Sequence, residues 1–273
     1  MRFGILLLSM AIASFSFVSA KSSPAEQYRK AMSLLIANAS QADQNDALDQ
    51  LRLAADQGYA PAESSLGTIY QQGLIVAQDV PTAIIWFKKA ADQGDWIAQF
   101  SLGRIYFFGG PVASDTATAR RWFEQAAADP RDSGASFYLG LLNDEGQGTP
   151  TNYPLAAKWY RQSAERGNPF AMERLALLLL KGVAGTSGQA SREEAYVFLL
   201  VAADLGNHHS DLQVSSIEAD LGKNGADSAR RKALDLRDRV LGYAGQKCNG
   251  WEGQYSQSPT SPPLTIQEQC ERQ

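Results

Sequence analysis

The sequence predicts an all-α fold: a right-handed α-solenoid of stacked antiparallel helix pairs, about five repeats of 36–39 residues. Three observations predict it. The stretch AADQGYAPAESSLGTIYQQG (54–73) returns 36 residues later as AADQGDWIAQFSLGRIYFFG (90–109). The small-residue pairs Ala54-Ala55, Ala90-Ala91, Ala126-Ala127, Ser163-Ala164 and Ala202-Ala203 recur at steps of 36, 36, 37 and 39. The pairs Leu66-Gly67, Leu102-Gly103, Leu139-Gly140 and Leu175-Ala176 keep the same phase, and Val214-Ser215 is a degenerate fifth copy. A unit of this length cannot cover its own apolar face. Stacked copies bury a continuous core.

Taken from the N-terminus, MRFGILLLSMAIASFSFVSA has one basic residue, Arg2, then an apolar run from Phe3 to Val18, then Val18-Ser19-Ala20. Small residues before the junction predict a secretory signal peptide (1–20) cleaved after Ala20. The serine-broken run is short for a membrane span, which needs roughly 20 apolar residues. Residues 21–42 are expected to hold the first helix of an incomplete opening pair, PAEQYRKAMSLLIA (24–37), with Tyr28, Ala31, Leu34 and Leu35 inward. Its partner is expected at 43–57.

The array is expected over 43–222. Asp43, Asp79, Asp115, Asn152 and Ser191 each stand four positions before an alanine and can cap a helix. Ser191 with Glu194 spells a capping box. These helices run through Ile85-Trp86-Phe87, Trp122-Phe123, Trp159-Tyr160 and Phe198-Leu199. They stop at Gly58, Gly94, Gly167 and Gly206, with Pro130 in that slot of the third copy. The other helix of each pair carries Ala-x-x-x-Leu-Gly-x-x-Tyr, as in Ala62, Leu66, Gly67 and Tyr70. A recurring glycine inside a helix predicts close packing by a neighbour, with Trp86, Trp122 and Trp159 as the expected fillers. Gly73, Gly109-Gly110, Gly146 and Gly182 break the chain before each next cap.

Beyond the array, ADSARRKALDLRDRVLGYA (226–244) has an apolar stripe of Ala229, Ala233, Leu236, Val240 and Leu241. It predicts a capping helix within 223–244. The tail (245–273) holds the chain's two cysteines, Cys248 and Cys270. In an oxidising compartment their expected state is one disulfide, with free thiols as the alternative. Such a loop adds about 3 kcal/mol in the chain-entropy model. Two ligands with no spaced His or Cys partners do not make a zinc site.

Composition narrows function. A net charge of −4 with scattered Lys and Arg leaves no nucleic-acid footprint. The sequence spells no catalytic constellation, metal site or cofactor motif. His208 and His209 are adjacent, so on a helix they point about 100° apart and are poor co-ligands. NGWEG (249–253) and AGTSG (184–188) lack the Lys-Ser/Thr of a phosphate cradle. Asp144-Glu145 and Glu193-Glu194 read as solvated helix ends.

The recurring pattern Asp-x-x-x-Ala-x-x-Trp-Phe/Tyr-x-x-Ala-Ala-x-x-Gly, followed by Ala-x-x-x-Leu-Gly-x-x-Tyr-x-x-Gly, resembles the Sel-like repeat family, a branch of the tetratricopeptide superfamily. The stretch 79–109, DVPTAIIWFKKAADQGDWIAQFSLGRIYFFG, matches it closely. The fifth copy departs from it, with Val214-Ser215 for Leu-Gly and Glu218 in the Tyr slot. The resemblance implies a non-catalytic scaffold, monomeric, periplasmic or secreted, that binds another protein of the envelope or of a host. It also implies that the first helix of each pair lines the concave face. The partner surface is then expected at Ser64, Thr68 and Gln71, at Phe100, Arg104 and Phe107, at Phe137, Leu141 and Asp144, and at Glu173 and Leu177. The three phenylalanines equally fit packing between repeats. Cysteine-rich relatives linked with β-lactam chemistry carry a regular cysteine pair in each repeat, which this chain lacks. An enzyme acting on cell-wall or β-lactam substrates and a glycan binder using Trp96 or Trp251 are the competing expectations.

Overall fold

The computed structural model describes residues 22–35, 39–184 and 188–248. The expected signal peptide (1–20) lies outside them, as do Trp251, Cys270 and the Cys248 side chain, and with them the expected disulfide. The described residues form helices α1 (Pro24–Leu34), α2 (Gln41–Ala55), α3 (Ala60–Gln72), α4 (Val80–Asp92), α5 (Trp96–Phe108), α6 (Thr116–Ala126), α7 (Gly134–Asp144), α8 (Tyr153–Glu165), α9 (Pro169–Leu180), α10 (Gln189–Asp204) and α11 (His208–Cys248). Each packs on the next in sequence. The first helices of successive pairs also meet, α3 on α5, α5 on α7 and α7 on α9, more than the second helices do. They therefore share one surface of the stack, the face expected to be the inner one.

The caps repeat with one mechanism. Asp79, Asp115 and Asn152 each accept from helix amides with their side-chain oxygens, as in Asn152 Oδ1 with the Leu155 amide at 3.0 Å. Their own amides donate to Tyr70, Tyr106 and Asn143 carbonyls of the preceding helix, each at 2.8 Å. One residue thus starts the second helix and ties the loop to the first.

Two expected caps are corrected. Asp43 lies inside α2; Ser40 caps it, and Asp43 is the reciprocal partner of that capping box. Ser191 is buried within α10, which begins at Gln189, and Glu194 pairs with Arg161 instead of closing a box.

Among the described residues the core is a file of four adjoining clusters that join neighbouring units, the largest running from α8 to α11. The glycine prediction holds, with a corrected filler. A Cβ on Gly67 would fall 2.6 Å from Phe87, and one on Gly103 would fall 2.5 Å from Phe123; Gly140 meets Tyr160 the same way. Trp86, Trp122 and Trp159 sit one residue earlier, about 100° round the helix. They pack instead on the clusters around Leu66, Leu102 and Leu139. The aromatic pair of each second helix therefore divides its work: Phe or Tyr closes its own pair, and Trp is half-buried against the cluster beside it.

At the far end α11 bends at Gly222 (φ 64, ψ 171). The limb beyond carries Ala229, Ala233, Leu236 and Val240, all buried in the last cluster. Helix continues to Cys248, past the expected start of the tail at 245.

Candidate protein-binding face

The inner surface is built from α3, α5, α7 and α9. The Leu-Gly register orients these helices by burying Leu66, Leu102, Leu139 and Leu175 completely. Ser64 and Phe100 point into the stack rather than out of it. Ser64 is 1% exposed, and Phe100 sits against Gly134, Phe123 and Tyr138. These two are corrected from partner surface to repeat packing. They stand on the side of the first helix that meets the next repeat.

Thr68, Gln71, Arg104, Phe107, Phe137, Leu141 and Leu177 are half-buried. Asp144 and Glu173 are engaged inside the chain. Asp144 accepts from the Tyr160 hydroxyl at 3.1 Å and lies 3.6 Å from Arg174. Glu173 meets His209 Nδ1 at 2.8 Å and accepts from Asn207 Nδ2 at 2.9 Å. His208 is exposed at the start of α11.

What the structure brings together is an aromatic track. Phe108 meets Phe107 at 5.0 Å between ring centroids, Phe107 meets Tyr138 at 5.2 Å, and Tyr138 meets Phe137 at 5.6 Å. Phe137 reaches Phe170 at 6.4 Å. The track runs from α5 over α7 to α9. Its ends are open: Phe108 is 61% exposed and Phe170 39%. Leu180 at the end of α9 is exposed as well. Arg104 lies over the Phe100 and Phe108 rings, 5.8 Å from each. Burial pushes the Tyr138 hydroxyl up, and the nearby Arg104 charge opposes that rise.

Four members of this face escape a reading of the sequence by its Leu-Gly register: Phe108, Tyr138, Phe170 and Arg174. Tyr138 and Arg174 occupy one position, two residues before Gly140 and Ala176. Phe107 and Asp144 occupy another, four residues after Gly103 and Gly140. Each later residue meets the earlier one of the previous repeat, so one register makes an aromatic contact at the first junction and an ion pair at the next. Following both positions along the sequence would have found the contact.

Trp96 is 7% exposed beneath Arg131, which removes it from a polar groove. Among the described residues no three His, Cys, Asp or Glu side chains gather as a metal site, and no helix is long and apolar enough to cross a membrane.

Comparison with known proteins agrees with this architecture. The chain is similar in structure to c5321, described as a protective antigen of uropathogenic Escherichia coli strains displaying an SLR fold, at a TM-score of 0.70 and 25% identity. The match covers 88% of this chain but 51% of that one, so the chain spans about half the length of that relative. It is also similar to a Sel1 repeat protein from Oxalobacter formigenes, at a TM-score of 0.62 and 26% identity, over 78% of this chain and 88% of that one. No curated protein matches the chain. The Sel1 repeat profile matches four times, at 60–95, 96–129, 133–168 and 169–207. These segments coincide with the pairs α3–α4, α5–α6, α7–α8 and α9–α10, cover just over half of the sequence, and place the chain in the Sel1 repeat family.

Proposed function

We propose that the protein is a non-catalytic scaffold of the bacterial envelope that holds a partner protein on the inner face of its helical array. Sel1 repeat proteins generally bind other proteins. The observation that carries the assignment to this face is the aromatic track from Phe108 to Phe170, which crosses three repeats and is open at both ends. Large aromatics beside an arginine are the residues that dominate binding energy at protein interfaces. The helices are held by their own cores, so docking costs little ordering entropy. Thr68, Gln71, Leu141 and Leu177 extend the surface on either side.

Export is part of the proposal and rests on the composition of residues 1–20. A reporter phosphatase that is active only outside the cytosol, fused after residue 40, tests it. Activity that survives deletion of residues 2–20 would sink it.

The binding face is tested by affinity capture from an envelope extract, with the wild-type chain beside an Arg104→Glu, Phe108→Ala double variant whose thermal melt is unchanged. A protein retained by the wild type and lost by the variant supports the face. A protein retained equally by both moves the site elsewhere on the array.

A further inference from the structure

The helices α3, α5, α7 and α9 carry five charged residues, and four of them are engaged. Glu63 accepts from Gln93 at 2.6 Å. Asp144 lies 3.6 Å from Arg174. Glu173 is held by His209 and Asn207. Arg104 differs: among the described residues no carboxylate pairs with it. Its neighbours are two phenyl rings and the Tyr138 hydroxyl, and its Nε is buried with no acceptor. A guanidinium seated among rings has given up part of its hydration. That raises what an incoming carboxylate gains by forming two parallel charge-assisted bonds.

We infer that Arg104 anchors a carboxylate side chain of the partner, within a peptide segment that places a large apolar side chain on the neighbouring Phe107, Phe108 and Tyr138 rings. The inference rests on the protein-binding reading and gives it a partner chemistry: an acidic residue flanked by aromatic or aliphatic ones. A basic segment is disfavoured, because it would bring like charge onto a partly desolvated cation. A polyanionic nucleic acid is disfavoured as well. One unpaired cation on the inner helices of a chain with net charge −4 neutralises too few phosphates.

The test is a selection of internal randomised segments of about a dozen residues, displayed with no free terminus and panned on the full chain. Winning segments are then synthesised with both ends blocked. Their affinities are measured for wild type, Arg104→Gln, Arg104→Glu and Phe108→Ala, each shown first to melt as the wild type does. The expected winners carry Asp or Glu beside Phe, Trp or Leu. Arg104→Gln lowers their affinity about tenfold or more, and Arg104→Glu lowers it further. Replacing the acidic residue by its amide costs affinity on the wild type and nothing more on Arg104→Gln, the signature of a direct pair. Winners lost with Phe108→Ala but indifferent to Arg104→Gln overturn the carboxylate anchor and leave the protein-binding face standing. Winners indifferent to both substitutions, or no winners, overturn the inference together with the face.

Discussion

The Phe87 ring occupies the space that a side chain on Gly67 would need, 2.6 Å from the position of its Cβ. Phe123 stands in the same relation to Gly103, and Tyr160 to Gly140. The pairing explains why a residue that weakens helices recurs inside α3, α5 and α7. Glycine costs a helix up to about 1 kcal/mol, and the close approach of a wholly buried ring offsets that cost. Gly67→Ala is therefore expected to destabilise despite its better helix propensity. Overpacking costs typically about 1–3 kcal/mol, and a contact this short puts the cost toward the upper end, leaving a net loss of up to about 2 kcal/mol. Gly242→Ala, in α11 with nothing within 4 Å of the added Cβ, should instead stabilise. A thermal melt of both variants checks the pair. An unchanged or raised melt for Gly67→Ala would remove the steric explanation for the motif.

The caps yield a second expectation. Asn152 accepts from the Leu155 amide with its side chain and donates its own amide to the Asn143 carbonyl. Asn152→Ala removes the first bond and keeps the second. The expected cost is about 1 kcal/mol, while Asn152→Asp should keep most of the stability. A larger loss that Asp fails to restore would mean the side chain does something besides capping α8.

How much of this was legible follows from which signals are periodic. The helix pairs, their stop glycines and the Asp79, Asp115 and Asn152 caps are written in register, because every repeat faces the same local problem. Single-residue phase was harder. Trp86 and Phe87 are neighbours of similar bulk, and only the packing decides which one enters the glycine gap. Asp43 and Ser191 match the cap spacing, yet α2 and α10 start earlier, at caps Ser40 and Gly188. The binding face was legible as a set of helices but not as a set of side chains. Whether Phe100 faces the partner or the next repeat depends on Gly134, 34 residues away, whose missing side chain leaves room for the ring.

Tyr160 gives a pH expectation. Burial, and then the nearby Asp144 charge, push its hydroxyl well above the usual tyrosine value. The unfolded chain releases that proton near pH 10, while the folded chain holds it. The unfolded state therefore binds fewer protons at alkaline pH, and the stability this group contributes is lost as the pH rises above about 10. Tyr160→Phe should flatten that alkaline decline. It also removes the bond to Asp144, at a cost of about 1 kcal/mol near neutrality. Unfolding followed from pH 7 to 11 separates the two effects. An alkaline slope identical in Tyr160→Phe would place the proton release on other groups.

The last expectation separates binding from folding on the inner face. Phe107 and Phe108 are adjacent but differently placed. Phe107 packs on Phe123 at 6.2 Å and on Tyr138 at 5.2 Å, at the junction of α5 with α7. Phe108 is 61% exposed and rests edge-on against Phe107 and Tyr138. Truncating an exposed ring usually changes stability by no more than about 0.5 kcal/mol, whereas losing a packed aromatic costs several times that, up to about 3 kcal/mol for one only half-buried. Phe107→Ala should therefore lower the melt, and Phe108→Ala should leave it where it is. If the inner face holds the partner, Phe108→Ala nevertheless weakens capture, because an open aromatic at the end of the track contributes to the complex and little to the fold. Capture that falls with Phe107→Ala alone, in step with the lost stability, would mean the face matters only as architecture.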